Sequence, residues 1–240
     1  MAIRIVDGKP GSGKSYYVVN HLVKNYFTED RELYLLKDGF CIITNIDSFK
    51  PSHLDLKTLA TAHGGYDKFF TVEVQEKLKE EHGQIIYIID EAQRLWRKNY
   101  KNDDVFFWFE YHRHLGQDIY LITQHYKKLP FDVYSLAEVV IYASPRSRSL
   151  AGEMRYYWMD DGTKTKTEVL RPKQSIFALY KSMDMKEAEK IGNPIMKSAI
   201  LTFCVVLVVL VIASRFLFGG ALWRSNDATA SVLPNSPPMP

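Results

Sequence analysis

Residues Gly8-Lys9-Pro10-Gly11-Ser12-Gly13-Lys14-Ser15 follow a short apolar run, Ile3–Asp7, and precede residues at helical spacing, Tyr17, Val18, His21, Leu22 and Tyr26. A glycine-rich turn set between a strand pattern and a helix pattern admits few folds. The octapeptide fits G-x-x-x-x-G-K-[ST], and the strand before it with the helix after it is the context that gives this spacing meaning. Glycines let the backbone close around phosphate oxygens, and the first N–H groups of the helix favour an anion. On this reading Gly8, Pro10, Gly11, Ser12, Gly13, Lys14 and Ser15 form a phosphate loop. Lys14 reaches the β- and γ-phosphates of a nucleotide, and the Ser15 hydroxyl ligates Mg2+.

The rest of the chain repeats the alternation. Strands are expected at Cys41–Ile46, Gln84–Ile89, Asp118–Thr123 and Glu138–Tyr142. Helices are expected at Ser15–Phe27, Leu54–His63, Tyr66–His82 and Val105–Leu115, with Gly64-Gly65 interrupting the second and third. Gln84–Ile89 is apolar throughout, as in a strand buried on both faces. The pattern predicts a P-loop NTPase three-layer α/β sandwich with a mainly parallel sheet. Arg155–Leu170 alternates on both sides of Asp161-Gly162, which predicts a β-hairpin appended after the core sheet.

The carboxyl ends of the strands carry the chemistry. Gln84–Ile89 delivers Asp90, positioned to hold Mg2+ through water, and Glu91, positioned to activate an attacking water. Asp118–Thr123 delivers Thr123 and Gln124, where a polar side chain can sense the γ-phosphate. No [NT]-K-x-D segment follows a late strand, so ATP is preferred to GTP. Arg94, Arg97, Arg113, Arg146 and Arg148 are candidates for a positive charge supplied to a neighbouring subunit's γ-phosphate, with Arg113 and Arg94 foremost. Trp96 and Phe106–Phe109 lie among Arg94, Arg97, Lys98 and Lys101; packing of a helix on the sheet is favoured over stacking of bases. His112 and His114 stand two apart and face different sides of a helix, which makes them poor joint metal ligands.

The net charge of +3 excludes a uniformly basic nucleic-acid surface, and two cysteines exclude a disulfide scaffold. A second feature sets the compartment. Ser198–Ser214 contains no charged residue. At 1.5 Å per residue it reaches roughly 26 Å, near the lower limit for a bilayer crossing. Lys181, Lys186, Lys190 and Lys197 precede it, and Arg215 and Arg224 lie in or after it, which predicts a cytoplasmic N-terminal side. The expected organisation is an ATPase domain over 1–181, a linker over 182–197 with a hinge at Ile191–Pro194, a membrane helix over 198–223 and a proline-rich periplasmic tail over 224–240.

The phosphate loop, Ile88-Ile89-Asp90-Glu91-Ala92-Gln93, the segment Arg113–Gln124 and the strand Cys41–Ile46 together resemble the zonular occludens toxin family, the inner-membrane assembly ATPases of filamentous bacteriophages. The resemblance covers roughly Met1–Lys181. It implies a Mg2+-dependent ATPase that forms a homo-oligomeric ring. It also implies single-stranded DNA with its binding protein and the phage coat protein as partners, and an outer-membrane secretin-like channel beyond the host inner membrane. The ATPase would power extrusion of DNA as coat protein replaces the cytoplasmic binding protein. Two other readings are a small-molecule kinase, for which a membrane span has no purpose, and a membrane scaffold switched by nucleotide without hydrolysis.

Overall fold

The computed structural model describes residues 1–30, 33–145, 152–181 and 201–213. In chain order its elements are β1 (Ile3–Asp7), α1 (Lys14–Tyr26), β2 (Phe27–Asp30), β3 (Leu33–Leu36), β4 (Phe40–Thr44), β5 (Leu54–Asp55), α2 (Leu56–Ala62), α3 (Tyr66–Phe69), α4 (Val72–His82), β6 (Gln84–Ile89), α5 (Asp103–Tyr111), β7 (Asp118–Thr123), α6 (Phe131–Tyr134), β8 (Val139–Ala143), β9 (Met154–Asp160), β10 (Thr163–Leu170) and α7 (Gln174–Phe177).

Eight strands form one sheet in the order β10-β9-β8-β1-β7-β6-β4-β5. The six strands from β8 to β5 are parallel, with Asp7 level with Thr123 and Ile89 level with Leu121. Side chains alternate between two cores. Ile5, Tyr87, Ile89, Ile119 and Leu121 face Leu56, Phe69, Leu78, Trp108 and Val133 on one side. Val6, Ile42, Ile86, Ile88, Tyr120 and Ile122 face Tyr16, Val19, Leu22 and Ile176 on the other. Helices on both faces are what a parallel sheet requires, because each crossover must leave one edge of the sheet and return along a face. The three-layer sandwich expected from the alternation is therefore the observed architecture.

The hairpin is a correction. β9 and β10 pair across Asp161-Gly162, whose φ values of 44° and 76° suit the tight two-residue turn. They are not an appendage, because β9 also pairs antiparallel with β8, Val140 level with Met159 and Ala143 with Tyr156. Met154 and Tyr156 are buried in the same core as α1. Burial of those two side chains makes the hairpin the edge of the main sheet. A second hairpin, β2 with β3, was not anticipated, since Phe27-Thr28-Glu29-Asp30 carries too little apolar alternation to signal a strand. The helix expected at Val105 starts at Asp103 because Asn102 caps it, its side chain accepting from Val105 N at 3.2 Å.

Trp96, Trp108 and Phe109 are buried while Arg94, Arg97, Lys98 and Lys101 are exposed, so those three aromatic residues pack on the sheet as expected, whereas Phe107 is exposed. Residues 201–213, within the expected span, are helical with exposed apolar side chains, Leu201 and Leu210 among them. That stretch rises roughly 20 Å. Among the described residues no helix is long and apolar enough to cross a membrane. The linker over 182–197, its hinge, the remainder of the expected span and the tail lie outside the described residues.

Candidate functional site

The phosphate loop is built by close contact with β8 and β9. A side chain at Gly8 would put its Cβ 2.7 Å from the Ala143 carbonyl oxygen and 2.7 Å from Ser12 Oγ, so the first glycine is imposed by the neighbouring backbone. Gly13 has φ 86°, in the left-handed region, and a Cβ there would meet Met154 Sδ and Tyr156 Oη at 3.0 Å. The Tyr156 hydroxyl donates to the Gly13 carbonyl at 2.9 Å and ties the start of α1 to β9.

Several features of the loop suit a polyphosphate. No side chain caps α1 and its first turn holds no acidic residue, whereas Asp55 and Asn102 cap α2 and α5. The first N–H groups of α1 therefore keep their capacity for an anion. The Ser12 hydroxyl is buried with no hydrogen-bond partner among the described residues. Lys14 is buried, and its ammonium turns back on the loop to donate to the Lys9 carbonyl at 3.1 Å. That carbonyl is a weak partner for a buried cation, and a phosphate oxygen would be a stronger one.

Sheet order brings the remaining residues to the same edge. β7 lies between β1 and β6, so Gln124 follows the strand directly beside the one that carries the loop, and Asp90-Glu91 follows the next strand. The inserted β7 separates the strand that carries the loop from the strand that carries Asp90. Asn45, which follows β4, locks the backbone of Asp90. Its amide nitrogen donates to Asp90 O at 3.0 Å and its oxygen accepts from Asp90 N at 2.7 Å. The Asp90 carboxylate accepts from Glu91 N at 2.8 Å. Glu91 itself has φ 51°, a left-handed conformation that costs a non-glycine residue about 1 kcal/mol or more. Gln124 Nε2 donates to both Glu91 oxygens, at 3.2 and 3.1 Å. Gln93 Nε2 donates to Glu91 Oε2 at 2.5 Å, and Arg94 Nε lies 3.8 Å from the same oxygen.

Asp7, at the end of β1, was missed by the sequence reading. Its side chain is buried with Oδ1 unpartnered among the described residues, and burial pushes its carboxyl above the usual carboxylate range. Arg113 is not brought to the site of its own chain. It is exposed in the turn before β7, at the amino end of a strand whose carboxyl end carries Gln124. Arg94, by contrast, stands beside Glu91 within the same subunit. Arg146 and Arg148 lie outside the described residues. A cavity of about 840 Å³ opens between α6 and the faces of β8 and β9, lined by Asp7, Tyr134, Tyr142, Tyr157 and Met159; none of the loop, Asp90, Glu91 or Gln124 lines it.

Among the described residues no group of three His, Cys, Asp or Glu side chains could cage a metal. A hydroxyl from Ser15 and a carboxylate from Asp90 fit Mg2+ instead, which keeps several waters and shares phosphate oxygens with its substrate.

The family model for zonular occludens toxin (Zot) matches residues 2–186. The chain belongs to the zonular occludens toxin family. The N-terminal domain of zonular occludens toxin from Neisseria meningitidis is similar in structure, with a TM-score of 0.53 and 22% identity over 75% of this chain and 98% of that one. At that identity the likeness is one of fold. The genome packaging NTPase B204 from Sulfolobus turreted icosahedral virus 2, in complex with sulfate, gives a TM-score of 0.49 at 18% identity, covering 72% of this chain and 96% of that one. The flagellar accessory protein FlaH from Methanocaldococcus jannaschii gives 0.44 at 14% identity, covering 72% and 85%. No curated protein matches. The Zot match spans the whole P-loop sandwich through α7, including the β8–β9–β10 edge that supports Gly13.

Proposed function

We propose that this chain is a Mg2+-dependent ATPase, anchored in the host inner membrane, that powers the assembly and extrusion of filamentous phage. The observation that carries the ATPase reading is the contact of Gln124 with Glu91 at the sheet edge that bears the phosphate loop. A glutamate alone after a strand is an ordinary turn residue. A glutamate held by the side chain from the strand next to a phosphate loop supports a role on a water beside the γ-phosphate.

In this mechanism the α1 N–H groups and the loop backbone hold the phosphates, and Lys14 leaves the Lys9 carbonyl for the β- and γ-phosphate oxygens. Ser15, and Asp90 through water, would hold Mg2+, which when bound would supply charge neutralisation on those oxygens. Asn45 keeps Asp90 in place. Glu91 orients the attacking water and accepts its proton, and Gln124 turns toward the γ-phosphate. Arg94 stands close enough to Glu91 to add positive charge from the same subunit, while Arg113 serves only if a neighbour presents it.

Membership of the Zot family supports the assembly role, with a homo-oligomer, the single-stranded DNA complex, the coat protein and an outer-membrane secretin-like channel as partners. The uncharged run Ser198–Ser214 and the exposed apolar side chains of residues 201–213 support the anchor. The test is phosphate release by the purified full chain with ATP and Mg2+, with and without single-stranded DNA. Turnover lost on chelation of Mg2+ is the expected result. Nucleotide binding without turnover would replace the ATPase with a nucleotide-switched scaffold.

A further inference from the structure

Two glutamines touch Glu91, and they are held in different ways. Gln93 is fixed at both ends of its amide. Its oxygen accepts from the Thr123 hydroxyl at 2.6 Å, and its nitrogen donates to Glu91 Oε2 at 2.5 Å. Thr123 is the last residue of β7, fully buried and level with Asp7 of β1, so the hydroxyl that anchors Gln93 belongs to the rigid centre of the sheet. Gln124 is held, among the described residues, through its nitrogen alone, and at the longer distances of 3.2 and 3.1 Å.

We propose that Gln93 is a positioning residue for hydrolysis, bracing the Glu91 carboxylate against the buried Thr123 hydroxyl, while Gln124 is the partner that lets go. The proposal rests on Glu91 acting on the attacking water. A side chain with three rotatable bonds on a left-handed, strained backbone has many orientations, and one clamped oxygen removes most of them. The brace runs from β7 through the turn after β6 and back to Glu91, so it links the strand beside the phosphate loop to the base without passing through the nucleotide. Gln124, starting from the same strand, can exchange Glu91 for a phosphate oxygen while Gln93 keeps the carboxylate aimed. This divides two chemically identical side chains into a fixed support and a movable sensor.

The experiment compares Gln93→Ala, Thr123→Val and Thr123→Ser in the full chain, reading kcat and KM for ATP and the affinity for a non-hydrolysable analogue. Gln93→Ala should lower kcat about 10²-fold, the scale of a misaimed catalytic group, with KM and analogue affinity unchanged. Thr123→Val, of the same shape without the hydroxyl, should lower kcat, and Thr123→Ser, which restores it, should recover most of the loss. Should Gln93→Ala fail to fold, the valine and serine pair still decides. Wild-type kcat in Gln93→Ala, a parallel fall in kcat and analogue affinity, or equal rates for the valine and serine variants would overturn the brace while leaving the ATPase reading intact. A wild-type chain that binds ATP and never turns it over would overturn both.

Discussion

Gln124 donates from one amide nitrogen to both carboxylate oxygens of Glu91, a contact between residues 33 apart in the chain. It exists because β7 lies between β1 and β6. Strand insertion thereby gathers the phosphate loop, Gln124 and Glu91 on one edge of the sheet.

Glu91 and Lys14 should fail differently. Glu91→Gln preserves shape and removes the base, so hydrolysis should fall about 10²-fold or more with nucleotide affinity kept. Lys14→Ala removes the cation that faces the loop, so affinity should fall as well. Titration with a fluorescent nucleotide beside a phosphate-release assay separates the two, and wild-type turnover in Glu91→Gln would remove Glu91 from its role.

Gly8 should tolerate no side chain. Its Cβ would meet the Ala143 backbone oxygen at 2.7 Å, and β8 cannot retreat without breaking its pairing with β1 and β9. Gly8→Ala should cost about 1–3 kcal/mol by overpacking and distort the loop, weakening nucleotide binding. Denaturant unfolding and nucleotide titration check both, and an unaltered midpoint would show that the loop has slack.

Asp7 should make stability depend on pH in an unusual direction for a carboxylate. Its folded value is raised above the ordinary 3.8, chiefly by burial. The folded state therefore holds its proton more tightly than the unfolded chain, and this contribution is fully present below that ordinary value and lost as pH rises through the folded value. Asp7→Asn should accordingly raise the melting temperature at neutral pH, with the gain shrinking toward acid. A variant less stable than wild type at neutral pH would mean that the charged form is held by partners stronger than its burial.

Arg94 and Arg113 should separate by assembly. Arg94 lies 3.8 Å from Glu91 in its own subunit, so Arg94→Ala should lower turnover at every protein concentration. Arg113 stands at the far end of β7, so Arg113→Ala should matter only where subunits pack together. Mixing Arg113→Ala with Lys14→Ala should then restore part of the activity. No rescue, with activity per subunit constant on dilution, would leave Arg113 without a part in hydrolysis.

The core at the amino end of β7 carries its own polar chain. Trp108 Nε1 donates to Gln117 Oε1 at 2.8 Å, and Gln117 Nε2 donates to Gln75 Oε1 at 3.0 Å, where the Tyr87 hydroxyl also donates. Gln117→Ala strands the indole N–H of Trp108, which should cost about 1–3 kcal/mol for that group plus the loss of packing. Chemical denaturation should show it, with nucleotide affinity per folded molecule unchanged; a stability equal to wild type would mean that water replaces the lost amide.

What the sequence by itself determined is local. The spacing of Gly8 to Ser15, the apolar runs ending at Asp90 and Thr123, and the Asp161-Gly162 turn each read correctly because glycine conformation, strand burial and tight-turn geometry act over a few residues. The class of the sheet was legible for the same reason, since alternating strand and helix patterns leave a parallel sheet few alternatives. Only the tertiary structure decided the order of the strands, because a crossover helix carries no local record of which neighbour its strand will join. From that order come the Gln124–Glu91 contact, the Asn45 lock on Asp90, the hydroxyl of Thr123 behind Gln93, the support of Gly13 by Tyr156 and the distance of Arg113 from its own site. Each joins residues distant in the chain through side chains whose partners are chosen by packing, and packing is a property of the whole sheet.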